Sequence, residues 1–134
     1  MIDARSTMAV AAGATAGAGA RWAVVEAVPE PDGWPWAVFV VNIVGSFVLG
    51  IVLAHTHHRT DDPTRDPLRL LIGTGFCGAL TTFATFAVEV AVFLRDGRVA
   101  IGFGYLAVSI IVGIVAFLGG RRVGGARDIE RVAA

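Results

Sequence analysis

The stretch GALTTFATFAVEV, Gly78 to Val90, sets three threonine hydroxyls, two phenyl rings and one carboxylate into a segment otherwise greasy enough to lie in lipid. On a helix of 3.6 residues per turn, Thr82, Thr85, Phe86 and Glu89 fall on one stripe, and Phe83 flanks it. Asn42 and Ser46 are four residues apart in another apolar run, and Tyr105 and Ser109 repeat that spacing in a third, so each pair shares a helix face. Nearly all of these groups can donate a hydrogen bond: an amide, several hydroxyls, a phenol. The phenyl rings add a partly positive edge. Uncharged donors in a line suit a small, hard anion stripped of its water better than they suit a cation. Glu89 is the exception: it either orients the hydroxyls by accepting from them or marks a proton-coupled site.

A plainer reading competes. Polar groups at membrane depth also bond across helices as glue, and serine and threonine hydroxyls bond back to their own carbonyls. For a single hydroxyl that reading comes first. For Asn42 and Glu89 the balance shifts, because an amide and a carboxylate cost more to hide from water. The phenylalanines alone would be ordinary packing.

The elements that must position these groups follow from composition. The chain has 134 residues, 55% hydrophobic and only 16% charged, where soluble domains average about a quarter charged. Spanning a bilayer takes about 20 mainly apolar residues, and four stretches qualify, at about 8–28, 35–54, 68–94 and 99–119. They predict a single all-α membrane domain over 1–134, with the tail from 121 disordered. Asp66 before Pro67 reads as a helix cap followed by a first-turn proline. The four-residue link RDGR, Arg95 to Arg98, makes helices three and four antiparallel neighbours. The first stretch is the weakest, rich in alanine and glycine and interrupted by Arg21; its rival reading is a signal peptide.

Gly73, Gly75 and Gly78 lie within six residues of the third span. Either the helix breaks there and exposes carbonyls, or the glycines let another helix come close. Gly13 and Gly17 in helix one fit the second pattern directly. Four thin helices are too few to enclose a pore with polar lines on three of them, so a two-fold dimer is expected.

All eleven basic residues are arginine. Arg5, Arg59, Arg65, Arg69, Arg121, Arg122, Arg127 and Arg131 fall on one side of the membrane, and Arg95 and Arg98 on the other, which places both termini in the cytoplasm. A net charge of zero and no basic arm argue against nucleic acid. The single cysteine, Cys77, excludes an internal disulfide framework. His55, His57 and His58 sit in a polar loop with no carboxylate spacing to complete a metal site. No catalytic or nucleotide-binding motif is present, so an enzyme is not expected.

These residues resemble a known family. GFCGALTTFATF, Gly75 to Phe86, is similar to the signature of the Fluc, or CrcB, fluoride channels. VNIVGSFVLG, Val41 to Gly50, resembles that family's second-helix motif and GATAGAGARW, Gly13 to Trp22, its first, while Tyr105 and Ser109 match the fourth-helix pair. The resemblance implies an antiparallel, dual-topology dimer with two pores, each lined by both subunits, and a third helix broken near its middle. It implies that Asn42 is a pore amide, that Phe83 and Phe86 aim ring edges at fluoride, and that Thr82, Tyr105, Ser109 and Glu89 belong to the polar track. Gly78 and Thr81 match positions whose backbone carbonyls hold a central structural sodium ion, and Arg21 matches an arginine near the vestibule. Ala79 stands where a second glycine is usual, and Ala84 where a serine is common; neither is a matched ligand position.

The expected function is therefore passive, selective export of cytoplasmic fluoride across the plasma (inner) membrane. The strong arginine bias adds an expectation of fixed orientation, and hence of a heterodimer with an oppositely oriented paralogue, the alternative being a homodimer of chains inserted both ways. The rival function is a small proton-coupled exporter of cationic drugs that uses Glu89 as the exchanged carboxylate. A third is a packing subunit of a larger membrane complex, in which the polar lines are only interhelical glue.

Overall fold

The computed structural model describes residues 3–30, 33–57 and 66–132, with side chains as far as Gly125. All described elements are helical. We label them α1 (Ala4–Ala27), α2 (Trp36–Thr56), α3 (π-helical over Arg69–Cys77, then α-helical over Gly78–Leu80), α4 (Phe83–Arg95) and α5 (Val99–Val132). Together they supply four stretches long and apolar enough to cross a membrane: Ala4–Ala27, Trp36–Thr56, Arg69–Arg95 and Val99–Gly125.

The ends of these helices follow local chemistry. α1 starts at Ala4 rather than 8 because Asp3 caps it, its Oδ1 accepting from the Ser6 N–H at 2.6 Å. The Pro35 carbonyl takes the Phe39 N–H at 3.0 Å and so opens α2. Asp66 caps α3 as its place before Pro67 suggests, with Oδ1 accepting from the Leu68 and Arg69 N–H groups at 2.8 and 3.1 Å. α4 ends in a Schellman turn: the Arg98 N–H reaches the Phe93 carbonyl and the Gly97 N–H the Leu94 carbonyl. Gly97 holds the left-handed φ of +76° that this turn needs. The Arg98 guanidinium then lies 4.8 Å from the Phe93 ring centre, fastening the turn to α4.

Two seams of small residues hold the spans together. In the first, Gly13 and Gly17 of α1 are buried against α3; a Cβ on Gly13 would overlap the Leu71 carbonyl, and one on Gly17 the Phe76 carbonyl. Gly75 answers from the other side, where a Cβ would stand 2.6 Å from the Val10 carbonyl. Close approach therefore accounts for Gly75, whereas a Cβ on Gly78 would meet nothing within 4 Å. In the second seam Gly50 of α2 faces the Phe117 carbonyl, while Gly120 and Gly124 of α5 face those of Phe47 and Ile51. Contacts advance along both helices of each seam in the same direction, so α1 runs parallel to α3, and α2 to α5.

That second seam carries the fourth helix past the expected end at 119. Gly119 and Gly120 read as a helix stop, yet α5 continues to Val132. Gly120 and Gly124 serve contact with α2, and so the helix runs through them. At 1.5 Å per residue α5 is about 50 Å long, more than the ~30 Å hydrocarbon layer, and it carries Arg121 and Arg122 beyond the lipid core. His58, Arg59 and Arg65, with the side chains of Arg127 and Arg131, lie outside the described residues. Among the described residues, no group of three or more His, Cys, Asp or Glu side chains is placed to hold a metal.

Candidate functional site

The site is built around the two residues that lie between α3 and α4. Thr81 (φ −78°, ψ 154°) and Thr82 (φ −146°, ψ 113°) are both extended. An extended residue at membrane depth strands backbone groups that lipid cannot satisfy, and side chains take them up. Asn42 on α2 does so twice: its Oδ1 accepts from the Thr82 N–H at 2.8 Å and its Nδ2 donates to the Thr82 carbonyl at 3.3 Å. Thr82 in turn caps α4, its Oγ1 accepting from the Thr85 N–H at 3.2 Å and lying 3.0 Å from the Thr85 hydroxyl. The Thr81 hydroxyl returns to the Cys77 carbonyl at 2.9 Å.

These bonds have a consequence for two carbonyls. In an uninterrupted helix the Thr82 N–H would go to the Gly78 carbonyl and the Thr85 N–H to that of Thr81. Here the first goes to Asn42 and the second to Thr82 Oγ1. The Gly78 and Thr81 carbonyls are thereby released from their usual intrahelical partners. Gly78, with open space on its side-chain face, leaves room for an approach.

A cavity of about 710 Å³ opens between α2, α3, α4 and α5 at this point. Its wall brings together Asn42, Ser46, Thr81, Thr82, Phe83, Phe86 and Ser109, with Gly78, Cys77 and aliphatic side chains between them. A second cavity of about 350 Å³ shares Ser46, Leu49, Ser109 and Ile110 with the first and runs on between α2 and α5 to Phe117. The wall is mainly apolar, so its few polar groups face little competition from water. Phe83 stands 80% exposed, its ring centre 6.0 Å from that of buried Phe86.

Tyr105 and Glu89 are placed differently from the other expected pore residues. Tyr105 is wholly buried behind Phe86, ring centres 5.2 Å apart, and its hydroxyl donates to Glu89 Oε2 at 2.8 Å. Neither lines the cavity. Ser109, one turn after Tyr105, has a buried hydroxyl that lies beside the Tyr105 phenol without good hydrogen-bond geometry. Arg21, on α1, is half-buried and stands apart from the cavity wall.

The resemblance implies that Asn42 is a pore amide; the structure spends its oxygen and one N–H on Thr82 and leaves one N–H over. A contact forty residues away in sequence has no local signal. Trp34 was also missed. It packs edge-on to Tyr105 with ring centres 5.1 Å apart, closing the cluster of Val38, Phe86, Phe93 and Tyr105. Its position in the apparent loop before Pro35 hid it.

The chain has relatives among known proteins. Residues 8–121 match the family described as CrcB-like protein, Camphor Resistance (CrcB). A "Fluoride-specific ion channel FluC 1" of Mycobacterium bovis is 41% identical over 115 residues, covering 85% of this chain and 86% of the relative. The protein of that name from Mycolicibacterium paratuberculosis is 42% identical over 115 residues, with the same coverage. A "Fluoride-specific ion channel FluC" of Ignicoccus hospitalis is 40% identical over 107 residues, covering 80% of this chain and 85% of the relative.

Proposed function

The chain belongs to the CrcB family, as a multi-pass membrane protein, and on that premise we propose that it is a fluoride-selective passive channel. The observation that carries the reading is the cavity wall, where uncharged donors and two phenyl rings stand among apolar side chains between the spans. Fluoride is small and holds its hydration shell tightly, so a pore must replace that shell with donors. The remaining Asn42 N–H, the Ser109 hydroxyl and the Phe83 and Phe86 edges supply them without a fixed positive charge that would trap the ion. Tyr105, with its hydroxyl committed to Glu89, is a positioning residue for Phe86 and Ser109. Thr82 acts through the cap it makes for α4.

The direction of transport needs no energy source. Hydrogen fluoride crosses membranes as a neutral acid and dissociates inside, trapping the anion. An inside-negative potential then drives fluoride outward by about 2.3 kcal/mol per charge per 100 mV. The site of action is accordingly the plasma (inner) membrane.

The channel is a dimer in this reading. The cavity is open on one side, and Phe83 projects from it almost fully exposed. Polar groups turned toward lipid are costly, and an oppositely oriented second chain would cover them and complete two pores. The partner is a second copy or an oppositely oriented paralogue. The released carbonyls of Gly78 and Thr81 fit a sodium ion: hard oxygen donors, free of their helical partners, on an open glycine face. When bound, the ion supplies charge that fastens the extended segments together. Arg21 belongs to the approach to the pore.

The drug-exporter reading asks for a carboxylate exposed to substrate; Glu89 instead sits beside the Tyr105 hydroxyl, off the cavity wall. The test is fluoride efflux from liposomes that contain the purified protein. Loss of a fluoride gradient with retention of a chloride gradient is expected. Vesicles that hold fluoride, or that leak chloride equally fast, would defeat the reading.

A further inference from the structure

Among the described residues, two buried side-chain polar atoms lack a hydrogen bond of good geometry, Ser109 Oγ and Trp34 Nε1; Ser109 has the Tyr105 phenol beside it, and the Trp34 indole N–H has no partner. Both belong to residues that adjoin Tyr105, one on the cavity side and one on the side of the α1–α2 link. A buried donor left without a partner carries an uncompensated desolvation penalty, and such atoms call for a ligand. The rings form a line between them: Phe83 to Phe86 at 6.0 Å, Phe86 to Tyr105 at 5.2 Å, Tyr105 to Trp34 at 5.1 Å.

The backbone fixes Trp34 at the end of that line. Gly33 before it has a left-handed φ of +62°, Pro35 follows, and the Trp36 N–H closes a tight turn onto the Trp34 carbonyl at 2.8 Å. Arg98 stands at the same end, a guanidinium nitrogen 3.3 Å from where a Gly33 Cβ would be, so an anion that reaches the indole does so beside a positive charge.

We propose that the Trp34 indole N–H is a fluoride ligand at the mouth opposite the arginine-rich face, taking the ion beyond Tyr105. The assignment rests on the channel reading and extends the line of donors by one step. An indole is a donor only, so it discriminates for an anion and offers nothing to a cation.

The indole N–H resonance of Trp34 reports on this directly. In a ¹⁵N-labelled Trp22→Phe/Trp36→Phe variant in lipid nanodiscs, Trp34 supplies the one tryptophan indole signal. Sodium fluoride should move it downfield in a saturable way, and sodium chloride should leave it in place. In liposomes, Trp34→Phe, which keeps a ring and loses the donor, should lower fluoride efflux about tenfold, the loss expected for one hydrogen bond to an ion. A signal held upfield by the Tyr105 ring and unmoved by fluoride would overturn the assignment, as would Trp34→Phe efflux equal to wild type. If wild-type vesicles pass no fluoride, the channel reading itself fails, a result distinct from a conducting protein with an indifferent indole.

Discussion

At the scale of the residue, the site separates groups that face the cavity from groups that hold them there. Phe83 and Phe86 line the cavity. Replacing either by isoleucine keeps the bulk and removes the edge, so efflux from liposomes should fall at least tenfold while the protein still folds. Equal flux from the Phe86→Ile variant would reduce the rings to packing. Tyr105 and Glu89 act together through one 2.8 Å hydrogen bond. Tyr105→Phe and Glu89→Gln should each slow fluoride without admitting chloride, and the double variant should be no worse than the slower single one, because the two changes remove the same interaction. An additive loss in that cycle would show separate roles. Asn42→Ala strands both the N–H and the carbonyl of Thr82, and a buried unsatisfied group costs about 1–3 kcal/mol. It should lower thermal stability in detergent as well as flux.

At the scale of the element, much was legible in sequence because lipid imposes a length and a polarity. The span at 35–54 could be read from its uninterrupted apolar run, and the Asp66 cap from a local pattern. What escaped depended on neighbours. Gly119 and Gly120 look like a terminus in isolation, and only the Phe47 carbonyl across the seam explains Gly120 inside a helix. The same holds for Asn42, whose donor spacing was visible but whose partner, Thr82, is a backbone group on a different helix. The seams give a prediction with an internal control. Gly50→Ala or Gly120→Ala would drive a methyl into a carbonyl of the facing helix and should destabilise by about 1–3 kcal/mol. Gly104→Ala, with nothing within 4 Å, should be neutral or gain up to ~1 kcal/mol from helix propensity. Thermal unfolding of the three variants decides the matter; a Gly50→Ala protein as stable as Gly104→Ala would refute the close seam.

At the scale of the whole molecule, the proposed pairing can be tested by ion and by label. Exchanging sodium for a bulky organic cation throughout preparation should reduce fluoride flux, with recovery when sodium returns, if the Gly78 and Thr81 carbonyls hold that ion. Flux indifferent to sodium would remove it from the account. Single cysteines placed beside Arg95 and beside Arg121, in a Cys77→Ala background, report orientation in cells. The arginine bias predicts that a membrane-impermeant reagent labels only the first; labelling of both would establish insertion both ways and make self-pairing sufficient. The π-helical winding of Arg69–Cys77 bears on all of this. A π turn holds about one residue more than an α turn in the same rise, so it behaves as a shim. Were one such turn to tighten to ordinary α pitch with no residue removed, the extra residue would be passed along the chain and everything downstream would swing by about 100°, the step per residue of an α-helix. Phe83 and Phe86 would then point elsewhere while every side chain named in the pore remained present, so the aim of the rings is set by a residue that never meets the ion.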